Sequence, residues 1–189
     1  MSAPTILTVC TGNVCRSPLL ERMLQRDVDE AHGPGRVVVR SAGTGALVGA
    51  PMDERSAEIL VGLGGDPTGF VARRLTAELV SDAALVLAAT PTHRSQVVQL
   101  NPRALRRTFT AQEFAGLVAA VPDEDLPTWE EPATALAELC TAARAARGAA
   151  TRPAGEGLVD PYRQPDAVYD RLRAQVVELR PLLARGLAR

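Results

Sequence analysis

The chain has 189 residues, enough for one domain with a substantial core, and 46% of them are hydrophobic. The formal net charge of -1 provides no general attraction to nucleic acid or to a membrane surface, so we expect neither as a partner. Three cysteines are too few for a disulfide framework, and their spacing does not match a zinc site. We therefore expect no metal and no cofactor.

The pattern of charge and hydropathy also bears on location. No basic stretch followed by a long apolar run opens the chain, so we expect no signal peptide. No apolar run approaches the length needed to span a membrane. The sequence therefore predicts a cytoplasmic protein.

Short apolar runs alternate with helical patterns along the first part of the chain. The predicted strands are 5–9, 36–41, 84–89 and 106–110. The first predicted helix has Ser17 as its N-cap and Pro18 in its first position, and it breaks near Gly33. The next predicted helices are 53–63, 76–80 and 92–100.

The remaining part of the chain is predicted to be mostly helical. An acidic, proline-bearing stretch at 121–132 precedes an alanine-rich helix at 133–147 and a small, polar loop at 148–157. A last helix is predicted at 166–187, where Pro181 should kink or split it. Strands that alternate with helices indicate an α/β fold with a parallel sheet, organised as a single domain over residues 1–189.

The segment from Cys10 to Arg16 carries the clearest chemical signal. It follows a predicted strand and precedes a helix, so its backbone N–H groups and the helix dipole can converge on one anion. Gly12 is expected to free the backbone for an otherwise strained conformation. The candidate anion-binding residues of this loop are Thr11, Gly12, Asn13, Val14, Cys15 and Ser17.

Arg16 and Cys10 add a phosphate-binding side chain and a nucleophile to this loop. The planar guanidinium of Arg16 can hold two phosphoryl oxygens at once. The same positive surroundings favour the thiolate of Cys10, which is the nucleophilic form. The alternative is an ordinary strand-to-helix turn with two buried cysteines, but the complete string favours a metal-free phosphatase.

The string VCTGNVCRSP at residues 9–18 resembles the low-molecular-weight protein tyrosine phosphatase family, whose signature is V-C-x-G-N-x-C-R-S-P. Further similar segments are 41–44, 51–53, 72–76 and 160–162. The resemblance covers most of 4–118 and 158–185. It implies a four-stranded parallel twisted sheet with helices on both faces and a phosphate loop after the first strand.

The resemblance also implies roles for single residues. Asp160, in an Asp-Pro-Tyr motif, matches the general acid that protonates the leaving oxygen and then serves as general base for water. Tyr162 matches a wall of the pocket. Asn13, Ser17 and Ser41 match positions that hold the loop in shape by hydrogen bonding.

Three departures from the family pattern stand out. Leu47 lies where many relatives carry an aromatic residue that sandwiches the substrate ring, and Phe70 lies where many carry a histidine that supports the loop. The stretch 121–157 is longer than usual before the Asp-Pro motif, so we expect an atypical insertion there. Capping of the active site, a homodimer contact and a freely hanging segment are its three alternative roles.

The sequence also suggests roles for the other two cysteines and places the two histidines. Cys15 lies close to Cys10 and either forms a protective redox disulfide with it or fills space under the loop. Cys140, in the alanine-rich helix, is expected to be a small core residue. His32 and His93 are expected on the surface without a function.

The expected substrate is a phosphorylated protein or a small aryl phosphate, with phosphate as product and inhibitor. One rival is an arsenate reductase. Residues 76–100 contain no cysteine, so only a version that uses an external small thiol stays open. The other rival is a non-catalytic, phosphate-binding regulatory module on the same fold.

Overall fold

The computed structural model describes residues 3–148 and 157–189 and contains a sheet of four parallel strands. The strands are β1 Thr5–Cys10, β2 Val38–Gly43, β3 Ala83–Ala88 and β4 Thr108–Thr110. Their order in the sheet is β2-β1-β3-β4, which places β1 between two neighbours. The predicted α/β fold with a four-stranded parallel sheet is confirmed.

Seven α-helices lie within the described residues. They are α1 Arg16–His32, α2 Glu54–Gly62, α3 Ala77–Asp82, α4 Pro91–Leu100, α5 Ala111–Ala120, α6 Pro132–Ala145 and α7 Asp166–Leu187. Helix α5 was absent from the prediction. Its sequence signal is the capping box in which Thr110 and Glu113 bond each other's backbone N–H groups.

The sheet is covered by helices on both faces, as predicted. Successive residues of β1 point to opposite sides, so Ile6 joins one apolar cluster and Leu7 the other. The larger cluster includes residues of α1, α5, α6 and α7, and the smaller one includes residues of α3 and α4. The edge of the sheet where the strands end is therefore left between the two helical layers.

The start of α1 differs from the prediction. The helix begins at Arg16 with Cys15 as its N-cap, so Ser17 and Pro18 already lie in its first turn. Pro18 is tolerated there because the first N–H groups of a helix have no intrahelical partner. The hydroxyl of Ser17 is consequently free of capping and points into the loop that precedes the helix.

Much of the segment expected to be an insertion is built into the core. Leu136 and Leu139 of α6 are fully buried in the larger cluster. Trp129, before α6, stacks on His32 with 4.3 Å between the ring centroids. This segment therefore does not hang free where it is described. The predicted loop at 148–157 lies outside the described residues except for its two ends.

Helix α7 is not split by its internal proline. It continues from Asp166 to Leu187 through Pro181, so of the two predicted outcomes, a kink or a split, the split does not occur. Leu179 and Leu183 are buried on either side of the proline, and their packing holds both halves against the core. Within the two described ranges, none of the helices is long and apolar enough to cross a membrane.

Candidate active site

The end of β1 and the start of α1 enclose a small pocket of about 140 Å³. The strand ends at Cys10, the loop follows, and the helix begins at Arg16. The residues that line the pocket are Cys10, Thr11, Gly12, Val14, Cys15, Arg16, Gly45, Leu47, Asp160 and Tyr162. Most of the candidate residues from the sequence are therefore brought together around one cavity.

The thiol of Cys10 is buried and hydrogen-bonded. Its Sγ atom lies 3.0 Å from Oγ of Ser17. The side-chain amide of Asn13 donates to the same Oγ at 2.9 Å, which leaves the hydrogen of the Ser17 hydroxyl available to Sγ. The Ser17 hydroxyl is therefore placed to donate a hydrogen bond to the sulfur of Cys10.

The loop residue with a strained backbone conformation is Asn13, and not Gly12 as the sequence predicts. Asn13 has a φ of 55°, in the left-handed region, whereas the φ of Gly12 is not positive. Asparagine tolerates this conformation better than most residues. Here its side chain holds it in place, because Oδ1 accepts from the backbone N–H of Arg73 at 2.8 Å.

Ser41 and Glu21 extend the hydrogen-bond network beneath the loop. The amide of Asn13 donates to Oγ of Ser41 at 2.7 Å, and that hydroxyl donates to the buried carboxylate of Glu21. Sequence reasoning missed Glu21, because its contact with Ser41 joins α1 to β2 and leaves no local signal. Phe70 is buried in the larger apolar cluster, and its side chain has no polar atom to join the network.

Arg16 and Asp160 meet across the pocket, although 144 positions separate them in the chain. Nη2 of Arg16 lies 2.7 Å from Oδ2 of Asp160, and Nη1 donates to the carbonyl of Leu158 at 3.4 Å. The Arg16 side chain is 5% exposed, but that of Asp160 is 54% exposed. The guanidinium is thus fixed in the pocket wall, whereas the carboxyl group remains accessible to solvent and substrate.

The segment before Asp160 is held against the end of β3. Gly157 has a φ of 99°, and a Cβ there would lie 2.4 Å from the carbonyl oxygen of Ala89, so glycine is required. The N–H of Leu158 donates to the same carbonyl at 2.8 Å. Gln175 of α7 accepts from the N–H of Val159 at 3.0 Å. Sequence reasoning did not identify Gln175.

Leu47 and Tyr162 form the rim of the pocket. Leu47 is 42% exposed and its N–H donates to the carbonyl of Gly12 at 3.0 Å, so the apolar side chain is tied to the loop. Tyr162 is half-buried, and its N–H donates to Oδ1 of Asp160 at 3.3 Å. The rim is therefore an aliphatic side chain together with an aromatic one.

The second cysteine of the loop is buried and protonated. Burial raises the pKa of Cys15 to about 12, and the nearby carboxylate of Asp53 adds to the shift. The pKa of Cys140 is also raised to about 12, chiefly by burial, which agrees with its expected place in the core. Both thiols therefore stay neutral at ordinary pH and are poor nucleophiles.

The expectation that both histidines lie on the surface is wrong. His93 is 6% exposed, and Nε2 of its ring lies 2.8 Å from Oγ1 of Thr11 in the loop. Burial, helped by the positive charge of Arg16, lowers the pKa of His93 to about 4. His32 is half-buried against Trp129. His93 is thus a neutral, buried neighbour of the site that its sequence context did not reveal.

The arrangement combines three chemical groups around one cavity: a buried thiol, a fixed guanidinium and an exposed carboxyl group. These groups can supply a nucleophile, an oxyanion grip and a proton donor without another component. Within residues 3–148 and 157–189, no cluster of three or more His, Cys, Asp or Glu side chains could hold a metal ion.

The parallel sheet with helices on both faces defines the class of the protein as a phosphatase fold, and the sequence comparisons give the family. The model of the low molecular weight phosphotyrosine protein phosphatase family matches residues 5–127. The chain belongs to this family. It is 39% identical over 105 residues to the low molecular weight protein-tyrosine-phosphatase Etp of Escherichia coli K12, covering 56% of this chain and 67% of Etp.

Further relatives cover more of the chain. The probable low molecular weight protein-tyrosine-phosphatase EpsP of Ralstonia nicotianae is 35% identical over 128 residues, 67% of this chain and 84% of its own. The YwlE arginine phosphatase of Geobacillus stearothermophilus has a similar structure, with 27% identity and a TM-score of 0.69. That match covers 97% of this chain and 92% of the other.

Proposed function

We propose that the protein hydrolyses phosphotyrosine, or related aryl phosphate monoesters, through a phosphocysteine intermediate. The observation that carries the proposal is the shared pocket of Cys10, Arg16 and Asp160, in which the guanidinium and the carboxyl group lie 2.7 Å apart. A single site thus holds the groups needed to attack phosphorus, to bind its oxygens and to protonate the leaving group.

In the first step, the Cys10 thiolate attacks phosphorus and the bond to the phenolic oxygen breaks. Asp160 gives its proton to that oxygen, and the phenol departs. In the second step, water attacks the phosphocysteine, Asp160 takes a proton from the water, and the sulfur–phosphorus bond breaks. Inorganic phosphate leaves as the product. Because Arg16 and the loop N–H groups also bind free phosphate, we expect it to inhibit the reaction.

The loop and Arg16 stabilise the charge of the transferred group. Two nitrogens of the guanidinium can engage two phosphoryl oxygens, and the loop N–H groups lie at the positive end of α1. The carboxyl group of Asp160 lies beside this phosphate-binding group, where it can give its proton to the leaving oxygen. No metal and no cofactor enters this scheme.

The rim supports an aryl ester as the substrate. Val14 and Leu47 offer aliphatic surface, and Tyr162 offers an aromatic one, so a phenyl ring has apolar contacts on more than one side. We infer that the physiological substrate is a phosphorylated protein with phosphotyrosine, and that small aryl phosphates are accepted as well. Residues 1–189 would form this one phosphatase domain.

The test of this function compares phosphopeptides of one sequence that carry phosphotyrosine, phosphoserine or phosphoarginine, all in excess EDTA. We expect turnover of the phosphotyrosine peptide and of p-nitrophenyl phosphate at mildly acidic pH, unchanged by the chelator. Absence of hydrolysis, or its loss with EDTA, would contradict the proposal. Preference for phosphoarginine would reassign the substrate while keeping the chemistry.

If the protein does not hydrolyse esters, two other functions are to be tested. Arsenate reduction that depends on an added small thiol would support a reductase. Binding of a phosphopeptide without turnover would support a regulatory module. The exposed carboxyl group of Asp160 beside Arg16 favours turnover over simple binding, because a regulatory module needs no proton donor there.

The redox role of Cys15 also stays a hypothesis. Peroxide would oxidise the Cys10 thiolate to a sulfenic acid, and attack by the Cys15 sulfur would form a disulfide and release water. Because the Cys15 pKa is raised to about 12, we expect this disulfide to form slowly. Mass spectrometry of peroxide-treated protein checks it, and sulfinic acid at Cys10 without a Cys10–Cys15 bond would overturn the hypothesis.

A further inference from the structure

His93 lies outside the proposed chemical scheme, yet it connects the phosphate loop to the rest of the fold. Its Nε2 atom is 2.8 Å from Oγ1 of Thr11, and its Nδ1 atom is 2.6 Å from Oγ1 of Thr90. Thr90 caps α4, directly after β3. Because both ring nitrogens have partners and the ring is buried, its orientation is fixed, and it forms a rigid bridge between α4 and the loop.

Thr11 depends on this bridge because it is itself exposed. Its hydroxyl bonds His93, and its carbonyl accepts from the N–H of Gly45 at 3.0 Å, so the residue is held from two sides. The Thr11 carbonyl and the Gly12 N–H belong to one planar peptide and point in opposite directions. Holding Thr11 therefore fixes the direction of an N–H group at the pocket.

The charge state of the ring suits a bridge between two hydroxyl groups. Burial is the main cause that lowers the pKa of His93 to about 4, the charge of Arg16 adds to it, and Asp160 opposes it. The ring is therefore neutral from pH 5 to 7. A neutral imidazole has one donor and one acceptor nitrogen, and a threonine hydroxyl can pair with either. Both ring nitrogens of His93 thus have a hydrogen-bond partner, and the ring adds no positive charge next to Arg16.

We propose that His93 is a positioning residue of the active site, which acts through the Thr11 hydroxyl to hold the first peptide of the phosphate loop in its oxyanion-binding orientation. The proposal rests on the phosphatase function proposed above. It predicts that the contact at Nε2, rather than the one at Nδ1, determines how tightly the loop binds phosphate.

Two isosteric variants separate the two contacts. The amide of glutamine can reach the Nε2 position and keep the bond to Thr11, whereas the shorter amide of asparagine reaches only the Nδ1 position and keeps the bond to Thr90. We expect His93→Asn to weaken the binding of inorganic phosphate at pH 6, measured by calorimetry, by about fivefold to tenfold. His93→Gln should stay within about twofold of wild type, since it keeps the Thr11 hydrogen bond.

A double mutant tests whether His93 acts through Thr11. Thr11→Val should weaken phosphate binding as much as His93→Asn does, and the combined variant should lose little more than either alone. Equal phosphate affinity of wild type and His93→Asn, or additive losses in the combined variant, would overturn the proposal. Thr11→Val keeps the imidazole in place, so it remains informative even if a His93 variant does not fold.

The binding measurement also separates this proposal from the proposed function. A wild-type protein that binds phosphate but hydrolyses no ester would contradict the phosphatase function and leave the comparison of variants readable. A purely structural role of His93 would lower the thermal midpoint of both variants with no difference between them in phosphate affinity. That result, too, would overturn the positioning role.

Discussion

Replacement of Cys10 by serine should lower kcat for p-nitrophenyl phosphate by at least about 10³-fold, because the covalent route loses its nucleophile. The sulfur of Cys10 lies 3.0 Å from Oγ of Ser17, and the loop precedes the N-terminus of α1. The same surroundings do not make a serine hydroxyl comparably nucleophilic. The measurement is steady-state turnover in excess EDTA at mildly acidic pH.

Two controls make this result specific. Cys140→Ser changes another buried thiol, on α6 and outside the pocket lining, and should keep its kcat. Phosphate affinity of Cys10→Ser should stay close to that of wild type, because Arg16 and the loop amides remain. Turnover that survives in Cys10→Ser would mean that another group attacks phosphorus, and the phosphocysteine route would have to be abandoned.

Asp160→Asn should lower kcat for phenyl phosphate by about 10²- to 10³-fold, the usual contribution of general acid catalysis. The carboxyl group lies 2.7 Å from Arg16, where a phosphate would be held, and it is accessible enough to reach a leaving oxygen. Asparagine keeps the shape but has no acidic proton to transfer. The loss should be smaller for p-nitrophenyl phosphate, because p-nitrophenolate leaves more readily without a proton.

The dependence on the leaving group distinguishes acid catalysis from a structural effect. A variant that merely distorts the pocket would show an equal fall in kcat for both substrates. This outcome would count against Asp160 as the general acid. The kcat of Asp160→Asn should also fall less steeply at high pH than that of wild type. Asp125→Asn, at an exposed position outside the pocket lining, is the matched control and should behave as wild type.

The phosphate loop was predictable because its parts are contiguous. Seven residues, Cys10 to Arg16, join the end of a buried strand to the start of a helix, and such a turn presents backbone N–H groups to one point. Local spacing therefore brings together Cys10 and Arg16, the proposed nucleophile and the proposed phosphate-binding residue. Asp160 was predictable only through its resemblance to a family motif, since an Asp-Pro pair alone is also a common turn.

The supports of the site were not predictable in the same way. His93 and Gln175 reach the loop and the Asp160 segment from α4 and α7, far away in the chain. Nothing in the sequence around either residue distinguishes it from a surface position. The backbone strain was assigned to Gly12 rather than to Asn13, because a glycine in a tight turn is the usual solution.

Sequence alone thus determined the α/β class, the parallel sheet and the position of the loop proposed to be catalytic, since each follows from patterns within a few neighbouring residues. Tertiary structure decided which distant side chains complete the site: Glu21 beneath Ser41, His93 beside Thr11, and Asp160 on Arg16. The physical reason is that these contacts depend on how helices pack across the sheet. That packing depends on apolar burial along the whole chain, and no local spacing records which polar groups it brings within hydrogen-bond distance.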